Sequence, residues 1–89
     1  MKIQKKAKVK NALGLHTRPS AMIVKLLQAS RSTVTFTYRD ETVNARSIMS
    51  ILMLAARKNA QIVVTVEGPD AVATMDRLLK GFEEGFGEA

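Results

Sequence analysis

The chain is predicted to fold as a two-layer α+β sandwich, in which helices cover one face of a mainly antiparallel β-sheet. The first observation is a set of short segments in which apolar and polar residues alternate, as in strands with one buried face. The second is a pair of longer segments that each carry one apolar stripe at helical spacing. The third is the order of these segments, which is strand, helix, strand, strand, helix, strand, helix.

The first strand is predicted over residues 2–10, because alternate positions from Ile3 onward are mostly apolar and the positions between them are polar. A turn over residues 11–14 leads to the first helix, predicted over residues 17–28. Pro19 suits the first turn of this helix, since the N–H that proline lacks would have no partner there. The apolar stripe of the helix consists of Ile23, Val24 and Leu27, widened by Met22 and Leu26.

A hairpin is predicted next. Residues 32–38 alternate between threonine and the larger apolar or aromatic side chains, a pattern typical of a half-buried strand. A tight turn at residues 39–41 and a short return strand over residues 42–45 complete the hairpin. The last strand is predicted over residues 61–67, with three inward side chains, Ile62, Val64 and Val66.

The second helix is predicted between Ser47, a favourable N-cap residue, and Arg57 with Lys58, whose charges suit the negative end of a helix. Between them only Ser50 is polar, and a helix that is apolar all round is normally buried all round. A domain this small cannot surround the helix, so we expect an exposed side that serves as a docking surface; the alternative is an ordinary packing helix. The residues expected on that side are Ile48, Met49, Leu52 and Met53.

The third helix is predicted to begin at Asp70, which caps it after the turn at Gly68. Gly81 lies inside this helix at a cost of about 1 kcal/mol. The later glycines, Gly85 and Gly87, predict that the C-terminus frays. One apolar face is expected, formed by Val72, Met75, Leu79, Phe82 and Phe86.

Composition narrows the function classes. The chain of 89 residues is 46% apolar and 25% charged, as expected for one globular domain. With no cysteine and one histidine, it lacks the residues for a disulfide framework or a structural zinc site. No apolar run is long enough to resemble a signal peptide or to span a bilayer, so we expect a cytoplasmic protein without membrane insertion.

The charge is unevenly distributed along the chain. Residues 1–58 hold 12 of the 14 Lys and Arg residues and two of the eight acidic residues, giving +10, whereas residues 59–89 carry −4. A basic front half favours an acidic partner, which could be a nucleic acid, an anionic membrane or a protein with an acidic patch. A nucleic acid is one candidate, but the chain has only three Phe and one Tyr, with no pair at the spacing used to stack bases. We therefore expect no nucleic-acid partner.

The only histidine, His16, lies at or beside the start of the first helix and is followed by Thr17 and Arg18. Two helix-terminal amides and a guanidinium make a site suited to a phosphate-sized anion. The chain offers no catalytic partner for His16, such as a cysteine, a nucleophile elbow or a carboxylate pair. An imidazole acting alone can still be a nucleophile at neutral pH. The alternative is an ordinary surface histidine.

Residues 14–20, GLHTRPS, closely resemble the active-site signature of the histidine-containing phosphocarrier (HPr) family of the bacterial phosphotransferase system. Residues 44–49, NARSIM, resemble the second signature of that family, around its regulatory serine. The resemblance covers essentially the whole chain. It implies a single domain over residues 1–89 that folds as an open-faced β-sandwich, with three helices over a four-stranded antiparallel sheet in the order βαββαβα.

The resemblance also implies a function. His16 would accept a phosphoryl group on Nδ1 from enzyme I and pass it to IIA-type acceptors, with Thr17 and Arg18 contacting that group. Ser47 matches the serine that an HPr kinase/phosphorylase modifies. The protein would be a monomeric carrier rather than an enzyme, and it would need no cofactor or metal. The partner-binding residues would be Ala21, Lys25, Ile48, Met49, Leu52 and Met53.

Two alternatives to a sugar-branch carrier stay open. Residues 81–86 resemble the nitrogen-branch paralogue (NPr) of the family more than many sugar-branch members. A second class is a phosphorylation-dependent regulator that does no transport work and binds its partners through the second helix.

Asn59 stands where a glycine usually closes that helix in the family, and asparagine tolerates the left-handed conformation required there.

Overall fold

The computed structural model describes residues 1–88. The strands are β1 (Lys2–Lys8), β2 (Thr33–Tyr38), β3 (Glu41–Asn44) and β4 (Gln61–Glu67). The helices are α1 (Thr17–Leu27), α2 (Ile48–Met53) and α3 (Ala71–Glu83), and a short 3₁₀ turn over Gly85–Gly87 follows α3. The predicted order βαββαβα is therefore confirmed. No helix among the described residues is long and apolar enough to cross a bilayer.

The four strands form one antiparallel sheet in the order β1-β4-β2-β3. Its two central strands put every second side chain against the helices, as the alternation predicts: Val66 pairs with Ile3 and Val34, and Val64 with Phe36. The opposite face carries mainly threonine and lysine side chains and is covered by no helix. The predicted open-faced sandwich, with the helices on one side only, is confirmed.

The hairpin turn is shorter than predicted. Tyr38 pairs directly with Glu41, so only Arg39 and Asp40 form the turn. Both have positive φ, 50° and 66°, as a two-residue type I′ turn requires. The twist of this turn matches that of the strands. Because the turn takes only two residues, β3 begins at Glu41, one residue earlier than predicted.

The second helix is also shorter than predicted. Ser47 is its N-cap, as predicted, and the Ser47 hydroxyl accepts a hydrogen bond from the Ser50 amide at 3.2 Å. The helix ends with Leu54 as C-cap, and Ala55 adopts the left-handed conformation with φ 51°. The predictions that Arg57 and Lys58 end the helix and that Asn59 closes it are therefore wrong.

The chain leaves α2 early because the next residues bond to the end of β1. The Val9 amide donates to the Ala60 carbonyl at 2.9 Å, and the Asn59 amide donates to the Val9 carbonyl at 2.7 Å. Asn59 does have positive φ, 72°, but it uses that conformation in the turn before β4. This pairing aligns β4 beside β1, and a longer helix would prevent it.

The buried face of α3 differs from the predicted one. Val72 is 52% exposed, whereas Leu78 is fully buried. The true face starts one residue earlier and includes Thr74, whose hydroxyl lies 2.7 Å from the Ser30 hydroxyl. A pattern of apolar residues alone misses a polar residue that is buried because it has a partner. The buried residues of α3 are Ala71, Thr74, Met75, Leu78 and Phe82.

Asp70 occupies the N-cap position of α3, but its carboxylate does not cap that helix. Instead it accepts hydrogen bonds from the Ser30 hydroxyl, the Ser32 hydroxyl and the Arg31 amide. The bond from Ser32 contributes most to lowering the pKa of Asp70 from 3.8 to about 2, and the Arg31 amide contributes next. The carboxylate therefore joins the start of α3 to the segment between α1 and β2.

The lowered pKa makes a prediction for acid stability. A carboxylate with a lower pKa in the folded state than in the unfolded chain stabilises the fold above pH 4 and loses this effect as the pH falls towards 2. We expect Asp70→Asn to lower the melting temperature at pH 7 and to flatten its decline between pH 4 and 2. Asp76→Asn, an exposed change on the same helix, is the control. Equal pH slopes for Asp70→Asn and the wild type would contradict the prediction.

Arg46 holds the end of α1 against the start of α2. Its guanidinium donates to the carbonyls of Leu27, Ser30 and Ser32 at 2.7–2.8 Å. The planar fork of arginine can reach three carbonyls at once, whereas the ammonium of lysine is a single point. Arg46 therefore fixes the position of the neighbouring Ser47 relative to α1.

The C-terminal segment is packed as far as residue 88, so the expectation that it frays is wrong. Phe86 is buried, with its ring centroid 5.0 Å from that of Phe82 in an edge-on arrangement. The ring fits over Gly81, where an added Cβ would overlap it. Gly81 is thus the residue that makes room for Phe86. The predicted apolar face assumed that α3 continues through Phe86. Instead, the turn at Gly85–Gly87 follows the helix and brings Phe86 back onto the helices.

Candidate functional site

The turn before α1 is anchored to the loop after α2. Gly14 has φ +68°, and a Cβ at this position would collide with the Ala56 carbonyl. The next residue, Leu15, is buried and its amide donates to that same carbonyl at 3.0 Å. Glycine is therefore required here both for the left-handed backbone and for the close approach of the two loops.

His16 is the N-cap residue of α1, as predicted. Its carbonyl accepts the hydrogen bond from the Ser20 amide at 3.1 Å, and the Ser20 hydroxyl donates back to the Leu15 carbonyl at 3.0 Å. The imidazole makes no capping bond, so it remains available for other contacts. Thr17 and Arg18 supply the first two amides of the helix, whose N–H groups have no acceptor within the helix itself.

The Nε2 atom of His16 lies against the carboxylate of Glu88, 2.8 Å from Oε2 and 3.0 Å from Oε1. Glu88 is itself held by Asn11, whose side-chain amide donates to Oε1 at 2.6 Å and to the Gly85 carbonyl at 2.8 Å. A carboxylate can only accept, so Nε2 carries the proton. In the neutral ring Nδ1 is then the nitrogen with the free lone pair.

The environment keeps the Glu88 carboxylate charged. The hydrogen bond from Asn11 is the main reason that the pKa of Glu88 is lowered, and His16 and the charge of Arg18 act in the same direction against partial burial. Glu88 is 17% exposed and His16 is 33% exposed at the side chain. The pair is therefore shielded on the Nε2 side and open elsewhere.

Asn11 and Glu88 were not identified from the sequence. They lie 77 residues apart in the chain, and the glycines near the C-terminus predict fraying rather than a fixed contact, so no local pattern connects them. The two glycines and one phenylalanine at residues 85–87 are the only sequence signal of a tight, packed turn at that point.

His16 lies between two shallow clefts lined by charged side chains. Arg57 and Lys58 line the cleft toward α2, and Lys10 lines the cleft toward the C-terminal turn with Glu83. The sequence predicts that Arg57 and Lys58 end a helix, but with the early end of α2 they line a cleft that His16 also lines. These cations add to Arg18 and favour an anion near the ring.

The predicted docking residues lie on α1 and α2, which pack against each other. Ile51 is fully buried and anchors α2, so the other side of this short helix is left exposed. Met49 is 68% exposed and Met53 is 73% exposed. Of the remaining predicted residues, Lys25 and Ile48 are exposed and Ala21 and Leu52 are half-buried.

The site presents one oriented nucleophile, the imidazole of His16. Among residues 1–88 no group of His, Cys, Asp and Glu side chains could hold a metal ion. His16 has one carboxylate partner, and the nearby hydroxyl of Ser20 is buried and bonded to the backbone. The chemistry that fits is covalent acceptance of an electrophilic group on Nδ1, with cations nearby for a negatively charged one.

Comparison with known proteins agrees with this chemistry. Residues 3–84 match the family model described as the PTS HPr component phosphorylation site. The chain is 49% identical over 80 residues to the phosphocarrier protein HPr of Chlamydia muridarum, covering 90% of this chain and 77% of that protein.

Solved structures agree as well. The crystal structure of HPr-C-His from Thermoanaerobacter tengcongensis has a TM-score of 0.92 at 30% identity and covers 98% of both chains. An HPr dimer from the same organism has a TM-score of 0.77 at 32% identity, covering 91% of this chain and 93% of that one. The match spans both predicted signatures and nearly the whole fold, and this chain belongs to the HPr family of phosphocarrier proteins of the phosphotransferase system.

Proposed function

We propose that this chain carries a phosphoryl group on Nδ1 of His16, accepting it from enzyme I and passing it to IIA-type proteins. The observation that supports this most directly is the pairing of Nε2 with Glu88, which leaves the Nδ1 lone pair free. Imidazole attacks phosphorus readily at neutral pH, and the resulting bond is labile enough for onward transfer.

The transfer itself needs little from this chain beyond positioning and charge. The Nδ1 lone pair forms the new N–P bond while the bond between phosphorus and the donor's leaving group breaks. The amides of Thr17 and Arg18 and the Arg18 guanidinium would bind the phosphoryl oxygens, because a helix N-terminus and a guanidinium both favour a doubly charged anion. The reaction then runs in reverse on the acceptor.

The same surface would bind donor and acceptor in turn. The methionines of α2, Met49 and Met53, are flexible and polarizable, so they can pack against different partners. Lys25 would meet acidic residues at the edge of the contact. The docking surface therefore consists of Ala21, Lys25, Ile48, Met49, Leu52 and Met53.

Phosphorylation by purified enzyme I and phosphoenolpyruvate tests the proposal. We expect one phosphate per chain, stable in base and lost in acid, with NMR coupling between phosphorus and Nδ1. The product should then donate its phosphate to a purified IIA protein. A phosphate on Nε2, or no phosphate at a stoichiometric level of enzyme I, would reject the proposal.

Ser47 is proposed as a second, regulatory phosphorylation site for an HPr kinase/phosphorylase. Its hydroxyl lies at the start of α2, beside the exposed Ile48. A phosphate there adds nearly two negative charges to the docking surface, which would repel an acidic partner while doing little harm to the helix start.

We expect Ser47→Asp to weaken the binding of enzyme I about tenfold, or about 1.4 kcal/mol, since like charges brought together at a docking surface repel each other. Ser47→Ala should bind as the wild type does. Calorimetry at 0.1 M salt and again at 0.5 M salt separates the charge effect, which salt screens. Equal affinities for Ser47→Asp and Ser47→Ala would argue against this regulation.

The alternatives make different predictions. A nitrogen-branch carrier or a regulator without sugar transport would still use the docking surface, but a pure regulator would keep its partners after loss of His16.

We expect a cytoplasmic monomer, whereas the HPr of Thermoanaerobacter tengcongensis has been solved as a dimer. Sedimentation at working concentration measures whether this chain is a monomer or a dimer. Binding to nucleic acid, if any, should disappear at moderate salt.

A further inference from the structure

The geometry points to Glu88 as a positioning residue for phosphoryl transfer: its carboxylate holds the proton on Nε2 of His16 and balances the charge that the ring acquires. This inference rests on the proposed function. It concerns a residue outside both sequence signatures and outside residues 3–84, which the family model matches.

The first step of the argument is tautomer control. A neutral imidazole carries one proton, and either nitrogen can hold it. Both carboxylate oxygens of Glu88 lie within 3.0 Å of Nε2, and a carboxylate accepts but does not donate. The Nδ1–H form of the ring, which has no nucleophilic lone pair at Nδ1, would place a lone pair against that negative charge. Glu88 therefore selects the reactive tautomer.

The second step is charge balance during transfer. When Nδ1 bonds to phosphorus and keeps its Nε2 proton, the ring becomes a phosphorylated imidazolium with a positive charge. The Glu88 carboxylate stabilises that charge, as the buried aspartate of a serine protease stabilises its imidazolium. When the phosphoryl group leaves, the N–P electron pair returns to Nδ1 and the neutral Nε2–H ring is restored. The proton stays on Nε2 throughout.

The third step is rigidity. Asn11 is buried, and its amide fixes Oε1 of Glu88 while also bonding to the Gly85 carbonyl. Phe86, which lies between Gly85 and Glu88 in the chain, is buried and holds the turn to the core. The carboxylate is thus held directly by Asn11, and the turn that carries it is held by Asn11 at Gly85 and by the burial of Phe86, all without His16. A flexible tail ending in a glutamate would not orient the ring in this way.

Other charged groups also face the ring and affect the same proton. Their charges are mixed, and Glu88 is the one within hydrogen-bond distance of Nε2. The remaining groups that line the surrounding surfaces are Lys10, Arg18, Arg57, Lys58 and Glu83.

Glu88→Gln tests the inference because it removes the charge and keeps the shape. The glutamine amide can either accept from Nε2–H or donate to Nε2, so both tautomers should appear in the ¹⁵N NMR spectrum of the ring, where the wild type shows one. Transfer from phosphorylated enzyme I should slow about tenfold at saturating concentration, with little change in KM. Glu88→Asp, which restores the charge, should recover part of the rate.

A pH profile separates charge balance from a structural effect. Phosphohistidine hydrolyses fast while Nε2 is protonated and slowly after that proton is lost. We expect the fall in the hydrolysis rate of the phosphorylated protein to occur about half to one pH unit lower in Glu88→Gln than in the wild type, since the loss of one charge-assisted hydrogen bond is of this order. Glu84→Gln, an equal charge change on the exposed helix end, should leave the profile unchanged.

The outcomes are distinct. The inference is overturned if Glu88→Gln matches the wild type in tautomer, transfer rate and hydrolysis profile, or if it lowers only the melting temperature. Equal effects from Glu84→Gln would also overturn it, since net charge would then be the cause. If enzyme I does not phosphorylate the wild type, the proposed function fails, while the NMR measurement still decides whether Glu88 fixes the ring.

Discussion

Replacing His16 with alanine should abolish phosphorylation by enzyme I while leaving the fold intact. The loss should be complete within detection, at least a thousandfold in rate, because no other side chain of the site can replace the nucleophile. The nearby Ser20 hydroxyl is buried and donates to the Leu15 carbonyl, and Thr17 has an unactivated hydroxyl. Mass spectrometry after incubation with enzyme I and phosphoenolpyruvate measures the effect.

The fold should survive because the imidazole makes no bond that caps α1. Its hydrogen-bond partner Glu88 keeps the bond from Asn11 after the change. We expect the free energy of unfolding to fall by less than about 1 kcal/mol, as for most partly exposed positions. Ser47→Ala is the matched control and should gain the full acid-labile phosphate. A phosphate that persists in His16→Ala, whether stable or labile in acid, would place the acceptor elsewhere.

The local parts of this fold could be predicted from the sequence. The alternation in β2 and β4 decides which side chains face the helices. Successive side chains of a strand point to opposite faces, so the apolar set must face the helices and the polar set the solvent. The start of α1 is also local: a proline in the first turn, with a histidine before it, places the helix start at or beside His16, and the structure has His16 as the N-cap. These features need no knowledge of distant residues.

The errors have tertiary causes. The end of α2 is set by the hydrogen bonds that Val9 makes with Asn59 and Ala60, which lie fifty residues further along the chain. The face of α3 is set by Thr74, which the Ser30 hydroxyl satisfies. In both places a contact between distant segments outweighs a local preference that is worth less than 1 kcal/mol per residue.

The site divides in the same way. The nucleophile and the anion-binding amides belong to one continuous motif, so the sequence identifies them. The groups that orient the ring, Asn11 and Glu88, come from opposite ends of the chain. What brings them together is the fit of Phe86 over Gly81, a matter of side-chain shape that no periodicity describes.

That fit makes the second large prediction. We expect Phe86→Ala to lower the free energy of unfolding by about 3 kcal/mol, the usual cost of emptying a buried aromatic site. Phosphoryl transfer should also slow, by as much as in Glu88→Gln, because the turn that carries Glu88 loses its contact with Phe82 and α1. Urea unfolding and single-turnover transfer from phosphorylated enzyme I measure the two effects. Val72→Ala, which shortens an exposed apolar side chain of α3, should change neither by much.

A second variant distinguishes displacement of the ring from loss of its volume. Gly81→Ala removes no apolar atom and, in an ordinary helix, would stabilise by about 1 kcal/mol. Here the new Cβ would overlap the Phe86 ring, so the change should destabilise and should slow transfer in parallel with Phe86→Ala. If Gly81→Ala stabilises the protein, or if either variant transfers phosphate at the wild-type rate, the C-terminal turn does not position the histidine. Parallel losses would show that packing at Gly81 controls the chemistry at His16 through Glu88.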